Sequence, residues 1–266
     1  MPPFDLEQGK ISVRLSESVY SQLLADVDDF AFKKNNGERN ANAFFNQLLP
    51  NLIAYRLRKR KSLREFLENN FRHCIKEHCQ DKVFSIMDDL FDNVYFDDYR
   101  EFYHNHRLHF RLTKTNIINL QGFFDELQEQ NYNKTSYLRN LFNEYANMKQ
   151  DKREGICFAK EYDLLKNASS EQIPVSCTYK NNDYLLFPYD LDLNYVDGSI
   201  YLLALNGVKK TRIHALRLSQ LRNISLKRND TFSFKENLIE KFEYLVNVFD
   251  YTNKPTIYAS KLIPNE

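Results

Sequence analysis

The sequence predicts an α+β protein with a mostly helical N-terminal half, a strand-rich segment and a short α/β C-terminal extension. Three observations predict this class. Apolar residues in the first 168 positions recur mainly at the spacing of amphipathic helices. Residues 172–228 instead form short runs of β-branched and aromatic residues separated by polar turns. After Thr231 a helical pattern returns, and residues 255–259 form one more candidate strand.

Composition excludes several classes of protein. The chain has 266 residues with only 6 Gly and 7 Pro, too few for a collagen-like or low-complexity protein. No apolar stretch approaches the roughly 18–20 residues that span a bilayer, and we expect no secretion signal. Four irregularly spaced Cys favour reduced thiols, so we expect a cytoplasmic protein. With 37 Lys and Arg against 36 Asp and Glu, only local charge clusters can indicate a nucleic-acid partner.

A repeat relates two segments of the N-terminal half. Residues 11–16 and 108–113 each alternate apolar and polar residues and end in a hydroxyl residue suited to cap a helix. Each copy continues with an amphipathic helix, a polar turn and a second helix. The second helix begins near Asn40 in the first copy and near Asn133 in the second. The offset is 97 residues at the strands and 93 at the second helices, because the first copy has the longer turn.

Alternation along these two strands separates an apolar face from a polar one. We expect the apolar face to be buried, and it comprises Ile11, Val13, Leu15, Leu108, Phe110 and Leu112. The outward face comprises the candidate nucleic-acid ligands Lys10, Ser12, Arg14, Arg107, His109 and Arg111. Arg and Lys bind guanine acceptors or phosphates, and Ser can serve either. We predict that the strands pair within one chain; a buried hairpin or two unrelated strand–helix pairs are the alternatives.

The strand–helix–helix unit, with residues 10–15 followed by an amphipathic helix, resembles the ribbon-helix-helix family of DNA-binding proteins. The resemblance implies a two-stranded antiparallel ribbon that enters the major groove of duplex DNA. Residues 1–62 and 106–168 would then form two such units, joined by a helical connector at 63–105.

Residues 172–228 resemble a WYL domain. The matching segments are a strand that ends in a Tyr (175–179), Pro-x-x-Leu at 188–191, residues 200–202 at the position of Trp-Tyr-Leu, and a basic strand that ends in the turn 217–224. Ile200 replaces the Trp that names the motif, and Gln220 replaces the second Arg of the closing turn. The resemblance implies a small Sm-like β-barrel that binds a nucleotide or nucleic acid, as in bacterial transcription factors and defence-linked proteins.

The WYL resemblance favours a ligand role for five residues, Tyr179, Tyr201, Arg212, His214 and Arg217. Cations beside aromatic rings suit phosphate contact and base stacking. Packing in the core is the alternative for both tyrosines, and a structural hydrogen bond is the alternative for Arg217. Alternation places Arg212 and His214 on one face of their strand and Arg217 on the other, unless a bulge intervenes.

Three further clusters are candidate sites. The basic run Arg56, Arg58, Lys59, Arg60 and Lys61 crowds the end of a predicted helix, where it either binds phosphates or stays solvated. His73, Cys74, His78 and Cys79 do not offer four convergent ligands from one helix, so we predict no metal site. Arg100 and His106 have a spacing like that of HEPN ribonucleases, a match expected by chance. We predict no catalytic residues, no cofactor and no enzymatic activity.

These features together predict a nucleic-acid-binding regulator, namely a ligand-responsive bacterial transcriptional regulator of the WYL type. The combination of domains also resembles accessory regulators encoded beside RNA-targeting CRISPR effectors. A single-stranded RNA-binding accessory protein that modulates a CRISPR effector nuclease is therefore one alternative, and a protein-interaction scaffold is another. Residues 229–266 form a C-terminal extension, and the helix after Phe234 is the candidate contact of an expected homodimer.

Overall fold

The computed structural model describes residues 4–5, 8–71, 83, 86, 106–206, 212–228, 230–234, 236–248 and 256–258. The predicted α+β class is confirmed, because helices and antiparallel sheets are both present. The chain divides into two compact units between Met148 and Lys149, and each unit is considered by itself below. Within the described residues, no helix has the length and apolar character needed to cross a membrane.

The first unit contains a three-stranded sheet and four helices in its described part. In chain order these are β1 (Phe4–Asp5), β2 (Lys10–Leu15), α1 (Glu17–Asp29), α2 (Ala41–Phe71), β3 (His106–Arg111), α3 (Lys114–Glu129) and α4 (Lys134–Ala146). The strand order is β1-β2-β3, and both pairings are antiparallel. The predicted boundary at residue 62 is wrong in one respect, because α2 continues without a break to Phe71.

The two repeated strands pair with each other along their whole length. Ile11 lies opposite Phe110, Val13 opposite Leu108 and Leu15 opposite His106. The predicted pairing within one chain is therefore confirmed, and the alternative of two unrelated strand–helix pairs is wrong.

The core of this unit forms beneath the paired strands, where the two copies of the repeat meet. All six residues of the predicted apolar face are buried. The ring of Phe45 from α2 stacks on Phe110 of β3 with 4.9 Å between the ring centroids. Phe142 from α4 packs edge-on against Phe45 at 5.8 Å. Burying a Phe side chain is worth roughly 1.5–3 kcal/mol, so these rings hold the second helices against the sheet.

The second unit is an open antiparallel sheet with helices packed against it. Its elements are α5 (Gln150–Cys157), α6 (Ala159–Ser170), β4 (Val175–Tyr179), β5 (Asn182–Asn194), β6 (Ser199–Asn206), β7 (Arg212–Arg217), a 3-10 turn (Leu218–Gln220), β8 (Leu221–Leu226), α7 (Glu236–Val248) and β9 (Thr256–Tyr258). The strand order is β8-β4-β5-β6-β7-β9. A barrel requires its edge strands to pair. In the described part of the chain β8 pairs only with β4 and β9 only with β7, so the predicted closed barrel is not found there.

The boundary between the units lies earlier than the predicted end of the second ribbon-helix-helix-like unit at residue 168. Helices α5 and α6, which the prediction joined to the second ribbon-helix-helix-like unit, belong with the sheet of the second unit. Lys166 of α6 pairs with Asp190 of β5 at 2.6 Å, and Ser169 donates a hydrogen bond to the Tyr189 carbonyl. Spacing along an amphipathic helix shows that it buries one face but not which neighbour covers that face.

The apolar face of α7 packs on its own sheet. Phe242 is fully buried, and its ring stacks on Tyr189 of β5 with 4.2 Å between the centroids. Phe234, just before the helix, packs edge-on against the same Tyr189 ring at 5.8 Å. Phe234 and Phe242 therefore contribute to the core of one chain.

Candidate nucleic-acid interface

The outward face of the β2–β3 ribbon presents like charges opposite one another. Arg14 lies directly opposite Arg107, and Lys10 lies directly opposite Arg111. The three arginines are exposed and Lys10 is half-buried. Like charges in directly opposite positions of a sheet destabilise it, by up to about 1 kcal/mol per pair. The ribbon therefore holds four cations at positions that folding alone disfavours.

Described carboxylates do not form ion pairs with these four cations. The Lys10 Nζ donates instead to Gln8 Oε1 at 2.6 Å, and Asp5 is the register partner of Lys10 at the other edge of β2. At the end of the ribbon, His106 pairs with Glu17. The predicted spacing partner of His106, Arg100, lies outside the described residues.

A pseudo-twofold axis passes through the centre of the ribbon. Ser12 and His109 are equivalent in the 97-residue repeat, and they are also register partners. Two residues that are equivalent in the repeat can also be register partners only if the axis that relates the two copies passes between them. Ser12 is half-buried and His109 is exposed, so both central side chains border the outward face.

Equivalent hydrogen bonds hold the two ends of the ribbon. Arg139 Nε of α4 donates to the Arg14 carbonyl at 2.9 Å, and Asn46 Nδ2 of α2 donates to the Arg111 carbonyl at 2.8 Å. The offsets of 97 and 93 residues relate each donor and each acceptor to its counterpart. Residue composition did not single out Arg139 and Asn46, although aligning the second helices of the repeat places them together.

Asn46 links the end of β3 to the start of α3. Its Oδ1 accepts from Thr113 N at 2.7 Å, and its carbonyl accepts from Asn116 Nδ2 at 2.7 Å. That carbonyl has no helical partner because Pro50, four residues later, has no backbone N–H. The proline in α2 thus frees an acceptor that a side chain of the other copy uses.

The four repeated helices begin at side-chain caps, as the repeat predicted for the first helix of each copy. Ser16 and Thr113 accept from backbone N–H groups of α1 and α3. Asn40 and Asn133 do the same for α2 and α4. Such caps stabilise a helix by typically about 1 kcal/mol and fix where it leaves the ribbon.

The basic run on α2 is not one uniform surface. Arg56 is buried, stacks 5.0 Å over the Tyr137 ring and pairs with Glu144 at 3.4 Å. Lys59 binds the other oxygen of the Glu144 carboxylate at 3.1 Å. The expectation that Arg56 contacts phosphate is therefore wrong, because it is a structural contact between α2 and α4. The run also lies inside a continuous helix rather than at its end.

The remaining members of the run are more accessible. Arg58 and Lys61 are exposed, and Lys61 pairs with Glu65 at 3.7 Å. Arg60 is half-buried. Phosphate contact by these residues and Lys59 stays a prediction. The His–Cys cluster at 73–79 lies outside the described residues, and within them no group of three or more His, Cys, Asp or Glu could hold a metal ion.

The predicted ligand residues of the second unit are mostly buried. Tyr179, Tyr201 and His214 are each no more than 6% exposed. The Tyr201 hydroxyl donates to Asp197 Oδ2 at 2.8 Å, and burial raises the pKa of Tyr201. The side chain of Arg212 lies outside the described residues. Tyr201 and Arg217 are register partners, whereas His214 faces the other side of β7, as alternation predicted.

Arg217 lies beside a carboxylate that the sequence did not single out. Glu154 of α5 is fully buried, and its Oε1 lies 3.4 Å from Arg217 Nε. The two carboxylate oxygens accept from Ile200 N at 2.8 Å and from Ser219 N at 3.0 Å. Burial is the largest influence and raises the pKa of Glu154, while Arg217 opposes it. Ligand contact by these residues stays a prediction, because the described side chains do not converge on an open surface.

Comparison with known proteins bears on the fold. No family model and no curated protein matches the chain. The resemblance to the WYL and ribbon-helix-helix families therefore stays a prediction. Among solved structures, the chain is similar to one described as the crystal structure of a CRISPR Cas-related protein. The two are 17% identical, with a TM-score of 0.64 over 92% of this chain and 71% of the other. The two proteins therefore share a fold.

Proposed function

We propose that this chain is a regulatory protein that binds duplex DNA through the outward face of the β2–β3 ribbon. The supporting observation is the pair of like-charged cross-strand contacts, Arg14 with Arg107 and Lys10 with Arg111. An anionic polymer relieves this repulsion, so the cost within the free protein is recovered when the complex forms. No described acid neutralises these cations, so they are available for phosphates and base edges.

The dimensions of the ribbon fit the major groove. Two strands lie about 4.8 Å apart, and the groove is about 12 Å wide and admits a two-stranded ribbon. Strand β1 pairs only beside Ile11 and Lys10, so the Arg14 end of the ribbon has two strands. The pseudo-twofold axis at Ser12 and His109 has a counterpart in the twofold symmetry of the DNA backbone. Arg14 and Arg111 would therefore meet the two phosphate chains at symmetry-related positions, and β1 makes the Lys10–Arg111 end three strands wide.

A role beside a CRISPR effector is the second candidate function. The shared fold with a CRISPR Cas-related protein favours this setting. The proposed partner would then be single-stranded RNA, and the protein would modulate an effector nuclease. Single strands are usually bound by exposed aromatic side chains that stack on bases. The outward face of the ribbon has only His109 for such stacking, and Tyr179 and Tyr201 are buried. Duplex DNA is therefore the partner that the ribbon fits better.

Control by an effector at the second unit, as in WYL-type regulators, is part of the proposal. An effector changes DNA binding only if it has different affinities for two conformations of the protein. Homodimer formation is also proposed; because the ribbon is complete within one chain, each protomer of such a dimer would bind its own duplex site.

The deciding experiment compares labelled duplex DNA, single-stranded DNA and single-stranded RNA of equal length by fluorescence anisotropy at one salt concentration. We expect the duplex to bind most tightly. Four cation–phosphate contacts predict a slope of log K against log salt of about −3.6. Tighter binding to single-stranded RNA would favour the CRISPR accessory role. Absence of binding to all three at low salt would refute both and leave the protein-interaction scaffold.

A further inference from the structure

The two halves of the ribbon differ at its centre, although the outward residues at its two ends are equivalent cations. Strand β1 pairs beside Lys10 at one of these ends. Arg14 and Arg111 are equivalent in the repeat and identical, and Lys10 and Arg107 are equivalent and both cationic. The central equivalents are a serine and a histidine. Two identical chains that pair their strands must place the same residue at both central positions, whereas one chain with two copies does not.

We infer that one chain occupies one duplex site, and that this site is palindromic at its outer base pairs but not at its centre, where Ser12 and His109 meet different bases. This inference rests on the proposed binding of duplex DNA. The feature behind it is the chain's own ribbon, in which Ser12 and His109 share one register pair on the pseudo-twofold axis.

The equivalent hydrogen bonds keep the symmetry of the ends. Arg139 holds the Arg14 carbonyl and Asn46 holds the Arg111 carbonyl, at 2.9 and 2.8 Å. The two carbonyls are therefore held by equivalent donors, while the Arg111 N–H also donates to Asn42 Oδ1 at 2.8 Å. Two identical arginines on such backbones reach equivalent atoms of a twofold-related pair of half-sites, and guanine O6 and N7 are the acceptors that arginine matches best.

The centre differs in size and in hydrogen-bonding groups. Serine is short, and its hydroxyl both donates and accepts. Neutral histidine is longer and offers one donor and one acceptor on a ring. His109 is exposed whereas Ser12 is half-buried, so the histidine extends further from the ribbon. The base pairs on the two sides of the axis consequently meet unlike side chains.

The test is selection of duplexes from a randomised pool by the full chain at fixed salt, followed by sequencing and by native mass spectrometry of the complex. We expect one chain per duplex and a consensus with symmetric outer positions and an asymmetric centre. The paired variants Ser12→His and His109→Ser each make the centre of the ribbon symmetric. Each should select a consensus whose centre is palindromic, and should bind the wild-type consensus roughly tenfold more weakly.

The outcomes separate this inference from the proposed function. A palindromic wild-type consensus, or two chains per duplex site, would overturn the inference while duplex binding stands. Absence of duplex binding at low salt would overturn both, and duplex binding that enriches no sequence would overturn the inference alone. Thermal unfolding of the two variants checks that they fold, and a consensus unchanged in both folded variants would also overturn the inference.

Discussion

Removing the two symmetric arginines should weaken duplex binding and lower its salt dependence in a calculable way. Arg14 and Arg111 are exposed, and they take part in the contacts that hold the ribbon through backbone groups, namely both carbonyls and the Arg111 N–H. The double variant Arg14→Ala with Arg111→Ala should therefore fold normally. Each lost cation–phosphate contact lowers the slope of log K against log salt by about 0.9, so the slope should change from about −3.6 to about −1.8.

The affinity itself should also fall. If the affinities of the two proteins converge at about 1 M salt, a change of about 1.8 in the slope corresponds to roughly 60-fold at about 0.1 M salt. Anisotropy titrations of one labelled duplex at four or more salt concentrations measure both quantities.

A matched control removes the same charge elsewhere. Lys227 and Arg228 are exposed residues of the second unit, outside both proposed contact surfaces. Replacing both by Ala should leave the slope near −3.6. If the ribbon variant keeps the wild-type slope and affinity, the ribbon is not the contact surface and the reasoning from its charges fails.

Three other predictions concern stability and can be checked by thermal or denaturant unfolding. Arg107→Glu places an acid opposite Arg14, so it should raise the free energy of unfolding by up to about 1 kcal/mol. The same variant should weaken duplex binding. An unchanged or lowered unfolding midpoint would contradict the cross-strand repulsion. Asn46→Ala removes several hydrogen bonds and should lower the free energy of unfolding by about 2–4 kcal/mol. Arg139→Ala, at the equivalent position, should lower it by less. Equal losses for the two variants would argue against the linking role of Asn46. Glu154→Ala leaves two buried N–H groups without their acceptor and Arg217 without its ion-pair partner. It should lower the free energy of unfolding by about 3–5 kcal/mol, so a loss below about 1 kcal/mol would show that these contacts matter little. Because burial raises the pKa of Glu154 above its ordinary value of 4.5, the native state binds this proton more readily than the unfolded chain does. Its contribution to stability is therefore greatest below that value and falls as pH rises through the raised native pKa, and Glu154→Gln should remove this dependence.

The pairing of β2 with β3 shows how far local pattern can be taken. The alternation of Ile11 and Val13 with polar residues occurs again in the second copy, and a single short strand cannot satisfy its own backbone groups. Because the two strands recur with matching second helices, the sequence predicted that they pair with each other. The same periodicity predicted all six buried residues of the ribbon.

The burial of Arg56 could not be predicted from local sequence pattern. Its neighbours in sequence are cations, which suggested a phosphate-binding run. Its neighbours in space are Glu144 and Tyr137, which are more than 80 residues away along the chain. Composition along a helix does not reveal which face a distant helix covers, so a buried ion pair resembles a solvated one in the sequence.

The open sheet of the second unit depended on tertiary contacts in the same way. The strand runs were evident from β-branched and aromatic residues, but whether β8 meets β9 is a matter of strand number, tilt and register that the runs do not contain. Glu154 was equally hidden, because a carboxylate in a helix of charged residues gave no sign that Ile200 and Ser219 would direct their N–H groups at it.

Side-chain alternation and the 97-residue repeat are local properties, and they were enough to predict the ribbon, its buried face and the caps that begin α1 and α3. Tertiary structure alone decided the symmetry axis at Ser12 and His109, the placement of α5 and α6 with the second unit, and the burial of Tyr201 and Arg56. The physical reason is that periodicity records how each segment divides its faces between core and solvent. The identity of the neighbour on the buried face arises only when all segments pack together.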